Sequence, residues 1–491
     1  MNRTIATSVN YYWLHTLIYF LLTFGIGKIS YSALPPMGMS VIGIFLGLLY
    51  GWTFIGFIWP SMFSIFMLGV CGFFPSPQDA FAHAFSQQLV VFMLLVLVFT
   101  AYCEQSGLNK KMSCWFLSRK MLVGHPWIFT FMVLLGSFVV SFLVDGNAVV
   151  FLVWNLMYSI FDEVGYKKGE PYPAFVLAGA AIAAILSFGC KPWGNVCILA
   201  IGALESATGG AYTVDYLTFM AVTVPICILF VTAYFLVMKY VFRPDVSKLM
   251  NLSDEYLARM RSELKLSLHE KTAALALLVF MLLMILPTFL SGEKGIAGFF
   301  GSFNFLSAVA IVLIALTLIK VEGKPLLDFD ACARSGIHWH VFWITAAALP
   351  VSAAVSSEGA GITQWLGMLM NEYFQDTNVF VFLVLFSVIV NLATQLTHNV
   401  SLVLIAVPVA VQVSSSLGLN PLALTVLVVI AAACAYATPA ASTVAAILFS
   451  NVDWIGVKNS FKAGFSAVIA GLIVLFVCGF PIIGAVYGFF L

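Results

Sequence analysis

Charge is what this sequence has least of: Asp, Glu, Lys and Arg make up 9% of its 491 residues, against the ~25% usual for soluble domains. So thin a supply cannot clothe a water-exposed surface, and it excludes an ordinary soluble enzyme. The net charge of +1 says nothing about partners, because the distribution of charge matters here rather than its sum; no nucleic-acid partner is expected of a chain this apolar. Motifs of metal and acyl-transfer chemistry are missing as well: there is no HExxH, no G-x-S-x-G and no CxxC pair. The nine cysteines are scattered, mostly in apolar stretches, and read as small buried hydrophobes rather than disulfides or ligands. No cleavable leader is evident, because the first apolar stretch reads as a span without a small-residue cleavage site. What is present is apolar. Hydrophobic residues make up 62% of the chain, in runs of about 20 residues, the length that crosses a bilayer. An all-α polytopic protein of a cell (plasma) membrane is expected, the inner membrane if the source is a bacterium.

Spans are expected near 12–32, 37–52, 53–74 and 88–106, followed by a short mixed segment, Asn109–Lys120. An apolar stretch from 126 to 162 is broken at Asp145-Gly146-Asn147, and the next, 171–207, at Cys190–Asn195. A span near 215–242 closes this half. Arg243–Lys271 holds the densest charge and no spanning run, and reads as an extramembrane linker. The pattern then restarts with spans near 272–290, 303–319 and 338–357 and a mixed segment, 361–374. A stretch at 378–416 is broken at Thr397-His398-Asn399, another at 422–450 is broken at Ala437–Ser442, and a last span lies near 463–490. Asn147 to Asn399 is 252 residues and Pro192 to Pro439 is 247, so the repeat is one of architecture.

Positive charge fixes the orientation. With the N-terminus inside and both broken hairpins re-entrant, 19 of the 22 basic residues fall inside. They are Arg3, Lys110, Lys111, Arg119, Lys120, Lys167, Lys168, the seven from Lys239 to Lys271, Lys320, Lys324, Arg334, Lys458 and Lys462. Lys28 and Lys294 fall outside, and Lys191 is left in the membrane. An odd number of crossings per half makes the repeats inverted, with about 11 spans, and puts the C-terminus outside.

"GCKPWGN", residues 189–195, sets a lysine inside one of the most apolar regions. A charge there costs at least ~2.5–3.5 kcal/mol on insertion scales, so Lys191 needs a partner or a task. Breaking a helix at mid-membrane strips backbone amides and carbonyls of partners, which lipid cannot supply. Four breaks in register give helix N-termini near 147, 194, 399 and 440, natural seats for an oxyanion. Inverted repeats with interrupted helices point to secondary transport.

At these residues the chain resembles the divalent anion:sodium symporter family of the ion transporter superfamily, whose members carry dicarboxylates, citrate or sulfate. That family has Ser-Asn-Thr at each hairpin tip and a Thr-Pro loop in each broken helix. Here the tips read Gly146-Asn147-Ala148 and His398-Asn399-Val400; Thr438-Pro439 is kept, and Lys191-Pro192 stands in the first loop. "EQSGL" (104–108) and "HWHVFW" (338–343) also match. The resemblance implies an elevator-type transporter on a homodimeric scaffold. Residues 1–125 and 272–377 would form the scaffold and arms, and 126–207 and 378–450 the moving transport part. Residues 208–271 would be a last span with linker, and 451–491 the final span.

The substrate the resemblance implies is a small organic anion, a di- or tricarboxylate, bound between Gly146, Asn147, Pro192, Trp193, Asn195, His398, Asn399, Thr438 and Pro439. Coupling to sodium, to a proton or to a counter-anion stays open. No other cofactor is expected. In the family, tip hydroxyls and carbonyls hold two sodium ions; a sodium near Thr397, Asn399 and Ser442 is the surviving candidate. At the first site two readings of Lys191 stand: a tethered ammonium in place of sodium with Asp145 as counter-ion, or a permanent Lys191–Asp145 bridge. His398 likewise stands either as packing or as a proton carrier and donor. An intramembrane enzyme built on Asp145, Lys191 and His398 is the rival class, and a sulfate or other oxyanion permease the rival substrate; a channel is weaker.

Overall fold

The computed structural model describes residues 2–490 apart from 145, 263, 291–294, 302, 322, 363, 366–367 and 369–377. Asp145, Lys294 and most of the mixed segment 361–374 therefore lie outside the described residues. The first half runs α1 (Asn2–Phe20), α2 (Pro36–Phe54), α3 (Ile58–Val70), α4 (Pro77–Ser86), α5 (Gln88–Gln105) and α6 (Leu108–Leu117). It continues with the hairpin α7 (Pro126–Leu143) and α8 (Gly146–Val164), the broken helix α9 (Pro171–Leu186) and α10 (Asn195–Ala207), and α11 (Tyr216–Leu236). The linker holds α12 (Asp254–Ser262). The second half runs α13 (Leu268–Leu290), α14 (Gly295–Gly301), α15 (Phe305–Leu318), α16 (Phe329–Gly336) and α17 (Trp339–Ser356). Its hairpin is α18 (Val379–Leu396) and α19 (Asn399–Leu417), its broken helix α20 (Pro421–Ala433) and α21 (Thr443–Ser450), and it closes with α22 (Val457–Val474) and α23 (Phe480–Tyr487). Among the described residues one small sheet pairs Lys320–Val321 with Lys324–Pro325.

Helix starts follow local chemistry. Proline opens α2, α4, α7, α9 and α20, where its missing N–H costs nothing. Side-chain oxygens of Ser76, Asp215, Asn304 and Asn420 accept from the first free amides of the helices that follow. Burial separates two kinds of helix. Every residue of α9 from Tyr172 to Leu186 is buried, as is every residue of α20 from Ala423 to Ala433, so the two helices that lead into the breaks form the core. In contrast α13 exposes Leu275, Leu278 and Leu282, α18 exposes Ile389, Leu392 and Leu396, and α22 exposes Ile469 and Ile473. Stripes of that spacing face lipid. Ten helices among the described residues are long and apolar enough to cross a membrane, and the protein is a multi-pass membrane protein.

Contacts at the hairpin bases reveal the inversion. Beside the first hairpin's base, Lys248 of the linker bridges Glu170 at 2.8 Å and Arg261 donates to Ser118 O at 2.7 Å. The Lys248 ammonium holds the Glu170 carboxyl below its ordinary pKa. Lys168 reaches Asp453, just ahead of α22, at 2.8 Å. The base of the second hairpin lies elsewhere: the Asn420 N–H donates to Phe489 O at 2.9 Å and its side-chain amide to Tyr487 O at 2.7 Å. The run of 31 residues from Val457 to Tyr487 joins the two regions and at 1.5 Å per residue is about 46 Å long. The hairpins thus enter from opposite ends, and their tips meet in the middle.

Candidate functional site

At the first break α9 ends at Leu186, a 3₁₀ turn covers Ser187–Gly189, and α10 restarts at Asn195. The lysine stem folds back over Gly194, where a Cβ would lie 2.8 Å from its Cγ and 3.0 Å from its Cε. Lys191 is 6% exposed. Its Nζ donates to the carbonyls of Ser141 at 3.0 Å and Val144 at 2.8 Å. These carbonyls close α7, where helical partners run out and the dipole is negative. The ammonium therefore caps the hairpin arm, and it lies 5.0 Å from the Phe188 ring centroid.

The second break follows the same plan with neutral groups. Asn391, Thr394 and Gln395 share one face of α18, three and four residues apart. Asn391 donates to Ala431 O at 3.4 Å, Thr394 to Ala432 O at 3.2 Å and Gln395 to Cys434 O at 2.7 Å. The freed carbonyl end of α20 is thus satisfied by the hairpin arm. Gln395 Oε1 also accepts from the Ala437 N–H at 2.9 Å, and the Thr438 hydroxyl donates to the Gln395 carbonyl. Aligning Pro192 with Pro439 makes Lys191 and Thr438 equivalent: each donates to carbonyls at the end of its own hairpin arm. The helix resumes at Thr443 rather than near 440. Ser442 caps it, accepting from the Ala445 N–H at 3.1 Å and donating to Ala435 O at 2.8 Å.

Both hairpin tips close on the second break. The Asn399 N–H donates to Ala441 O at 2.9 Å, and the Thr443 hydroxyl donates to Asn147 Oδ1 at 2.9 Å across the two halves. Asn399 and Asn195 each turn Oδ1 onto the next residue's N–H, at 2.9 Å in both cases. A cavity of about 330 Å³ lies among them. Of the expected residues, Asn147, Lys191, Trp193, Asn195, His398, Asn399 and Ser442 line it; Gly146, Pro192, Thr397, Thr438 and Pro439 do not. Gly146 instead packs on Phe188, with room for no Cβ: one would lie 2.8 Å from the ring. Thr397 donates to Ala393 O at 3.0 Å within its own arm. Phe57, Thr100, His338, His340 and Thr443 complete the polar and aromatic wall. The sequence signal for the histidines was the "HWH" ahead of an apolar run, read only as a family match. The signal for Gln395 was a polar stripe on a lipid-length helix. Lys191 is the charged residue of the described lining, which contains no carboxylate.

A larger cleft, about 950 Å³, lies beyond the far end of α10 and is lined by His83, Gln87, Glu205, Asp215 and Asn304. It contains no helix break, so the smaller cavity has the better claim as the binding site. Leu89, Gly202 and Leu349 face the cleft, whereas Met93, Asn195 and Ile344 of the same three helices line or border the cavity. The packing between is tight: a Cβ on Gly202 would lie 2.5 Å from Leu89 Cδ1 and 2.6 Å from Leu349 Cδ2.

The family described as citrate transporter, CitMHS, matches residues 44–428. A sodium-dependent dicarboxylate transporter, SdcS, of Staphylococcus saprophyticus is 21% identical over 359 residues, 71% of this chain and 68% of that protein. An uncharacterized transporter of Synechocystis is 28% identical over 142 residues, 27% of this chain and 23% of that protein. The SdcS of Staphylococcus aureus is 23% identical over 273 residues, and the match spans about half of it, 51%. Among solved structures, the YdaH transporter of Alcanivorax borkumensis superposes with a TM-score of 0.56 at 16% identity, covering 92% of this chain and 99% of that one. MtrF of Neisseria gonorrhoeae, of a class of antimetabolite efflux pumps, superposes with 0.54 at 15% identity, covering 79% and 80%. At such identities these two likenesses speak for the fold alone.

Proposed function

This chain belongs to the citrate transporter family, a family of transporters and not of enzymes, and from that premise we propose that it carries a di- or tricarboxylate across the plasma membrane by alternating access. The observation that supports this reading is the meeting of both hairpin tips with the broken helices around one cavity, tied across the halves by Thr443 and Asn147. One carboxylate sits among the side-chain amides of Asn147, Asn195 and Asn399, with the N-terminal ends of α8, α10 and α19 behind it. Trp193 walls the site. Residues 126–207 and 378–450 move as the transport part against a dimeric scaffold of 1–125 and 272–377, with 208–271 and 451–491 supplying the last span of each repeat and the linker. Gly146, Pro192, Thr438 and Pro439 shape the tips and loops without touching the anion.

Sodium fits one half and not the other. In the first, the Ser141 and Val144 carbonyls already receive the Lys191 ammonium, and a second cation beside it is repelled. Thr397, Asn399 and Ser442 in the second half offer neutral oxygens of the kind a hard monovalent cation takes. Bound there, sodium would supply positive charge toward the anion. The relatives' sodium dependence supports such coupling, and Lys191 makes it a one-sodium coupling.

Uptake of labelled citrate and succinate into proteoliposomes tests this, with imposed sodium and pH gradients. Wild type should accumulate one of them on a sodium gradient with one ion per turnover, Asn147→Ala should lose most of that uptake, and Lys191→Thr should need more sodium. No uptake of either anion overturns the transport reading, and a stoichiometry of two sodium ions in wild type overturns the tethered cation.

A further inference from the structure

Three imidazoles stand on the cavity wall with the asparagines, one of them on His398, next to Asn399. His338 and His340 open α17, with ring centroids 5.6 Å apart. The Phe57 ring of the first half lies 6.1 Å from His340 and 5.7 Å from His398 of the second hairpin tip, so one phenyl ring stands between two histidines of the second half. All four side chains line the cavity. His398 Nδ1 accepts from the Val400 N–H at 3.4 Å, which in a neutral ring puts the proton on Nε2. That Nε2 is buried and has no hydrogen-bond partner among the described residues. Buried donors in folded proteins are nearly always satisfied, and one left over at a cavity points to a ligand.

We propose that His398, His340 and His338 form the second pole of the anion site, holding a carboxylate other than the one bound by the asparagines. The inference rests on the transport reading and deepens it. The asparagine pole belongs to the transport part alone. The histidine pole is shared, since His338 and His340 come from the scaffold side. A substrate with two separated carboxylates bridges the poles, whereas a monocarboxylate fills one. Nothing anionic among the described lining residues opposes this, and Lys191, the cationic side chain there, is held on the Ser141 and Val144 carbonyls. The histidines thus select for a polyanion and report its arrival to the scaffold.

Calorimetric titration of the purified full chain with citrate, succinate and propionate tests this. Wild type should bind citrate or succinate at least about tenfold more tightly than propionate. His398→Ala and His340→Ala should each weaken that binding about ten- to hundredfold, the loss expected for a hydrogen bond to a charged group. His398→Gln, which keeps an N–H near the Nε2 position, should recover to within about threefold, and this recovery separates binding from misfolding. Equal affinity of wild type and both alanine variants for the dicarboxylates overturns the histidine pole while leaving the transport reading intact. Failure of wild type to bind either dicarboxylate overturns both.

Discussion

Gln395 makes more of the second break than any other side chain, bonding a carbonyl, an amide and, through its own backbone, a threonine hydroxyl. Gln395→Leu strands the Ala437 N–H and the Cys434 carbonyl in a buried setting, at about 1–3 kcal/mol for each group. The purified variant should melt several degrees lower, and Gln395→Glu, which keeps the acceptor but loses the donor, should fall between; an unchanged melting temperature for both refutes the assignment. The contrast with Lys191 shows what was legible at this scale. A lysine in an apolar run stands out because its insertion penalty demands a reason. A glutamine on a hairpin arm does not, since amides occur on many membrane helices and only the third dimension shows which carbonyls have lost partners. Asn147, Asn195 and Asn399 stand out in the sequence because they sit at the breaks; His338 and His340, which line the same cavity, do not, because their helix is unbroken.

Among the elements, α10 is the one that both hollows share, with Asn195 at the cavity and Gly202 at the cleft. Gly202 lets Leu89 of α5 and Leu349 of α17 close onto it, and no side chain fits there without moving them. Gly202→Leu should hold this contact apart. The expected result is a fall in transport of at least about tenfold with dicarboxylate affinity changed less than about threefold, because overpacking acts on closure and not on the site. Transport at the wild-type rate would show that the contact need not form. Helix boundaries were largely readable from apolar run length, proline starts and capping residues. The exact restart of α21 was not, because Ser442 rather than the Thr-Pro pair supplies the cap, and a cap is defined by a hydrogen bond and not by composition.

For the whole molecule, the positive-charge count and the packing agree. Segments that the count puts on one side, around Lys120, Lys168, Lys248 and Lys458, are brought together by the linker contacts, while the second hairpin's base lies with the C-terminal segment. The orientation of the whole is the further expectation: linker in the cytoplasm, C-terminus outside. Single cysteines at Ser262 and in a C-terminal tag, in a cysteine-free background, should divide accordingly, impermeant reagent on intact cells labelling the tag alone. Labelling of Ser262 would reverse the orientation. Architecture was legible because lipid forbids open backbone and leaves few ways to arrange long apolar helices.

The thin layer at Gly202 has an electrical meaning. Were the cleft filled with water from one side of the membrane and the cavity from the other, a membrane potential would not spread over the full thickness of the bilayer but fall mostly across Leu89, Leu349 and the backbone of α10. Moving one elementary charge through that layer against 100 mV takes about 2.3 kcal/mol. In that arrangement a short stack of hydrocarbon would be where voltage is converted to work, and the step that carries net charge past it would be the step whose rate a change in potential alters.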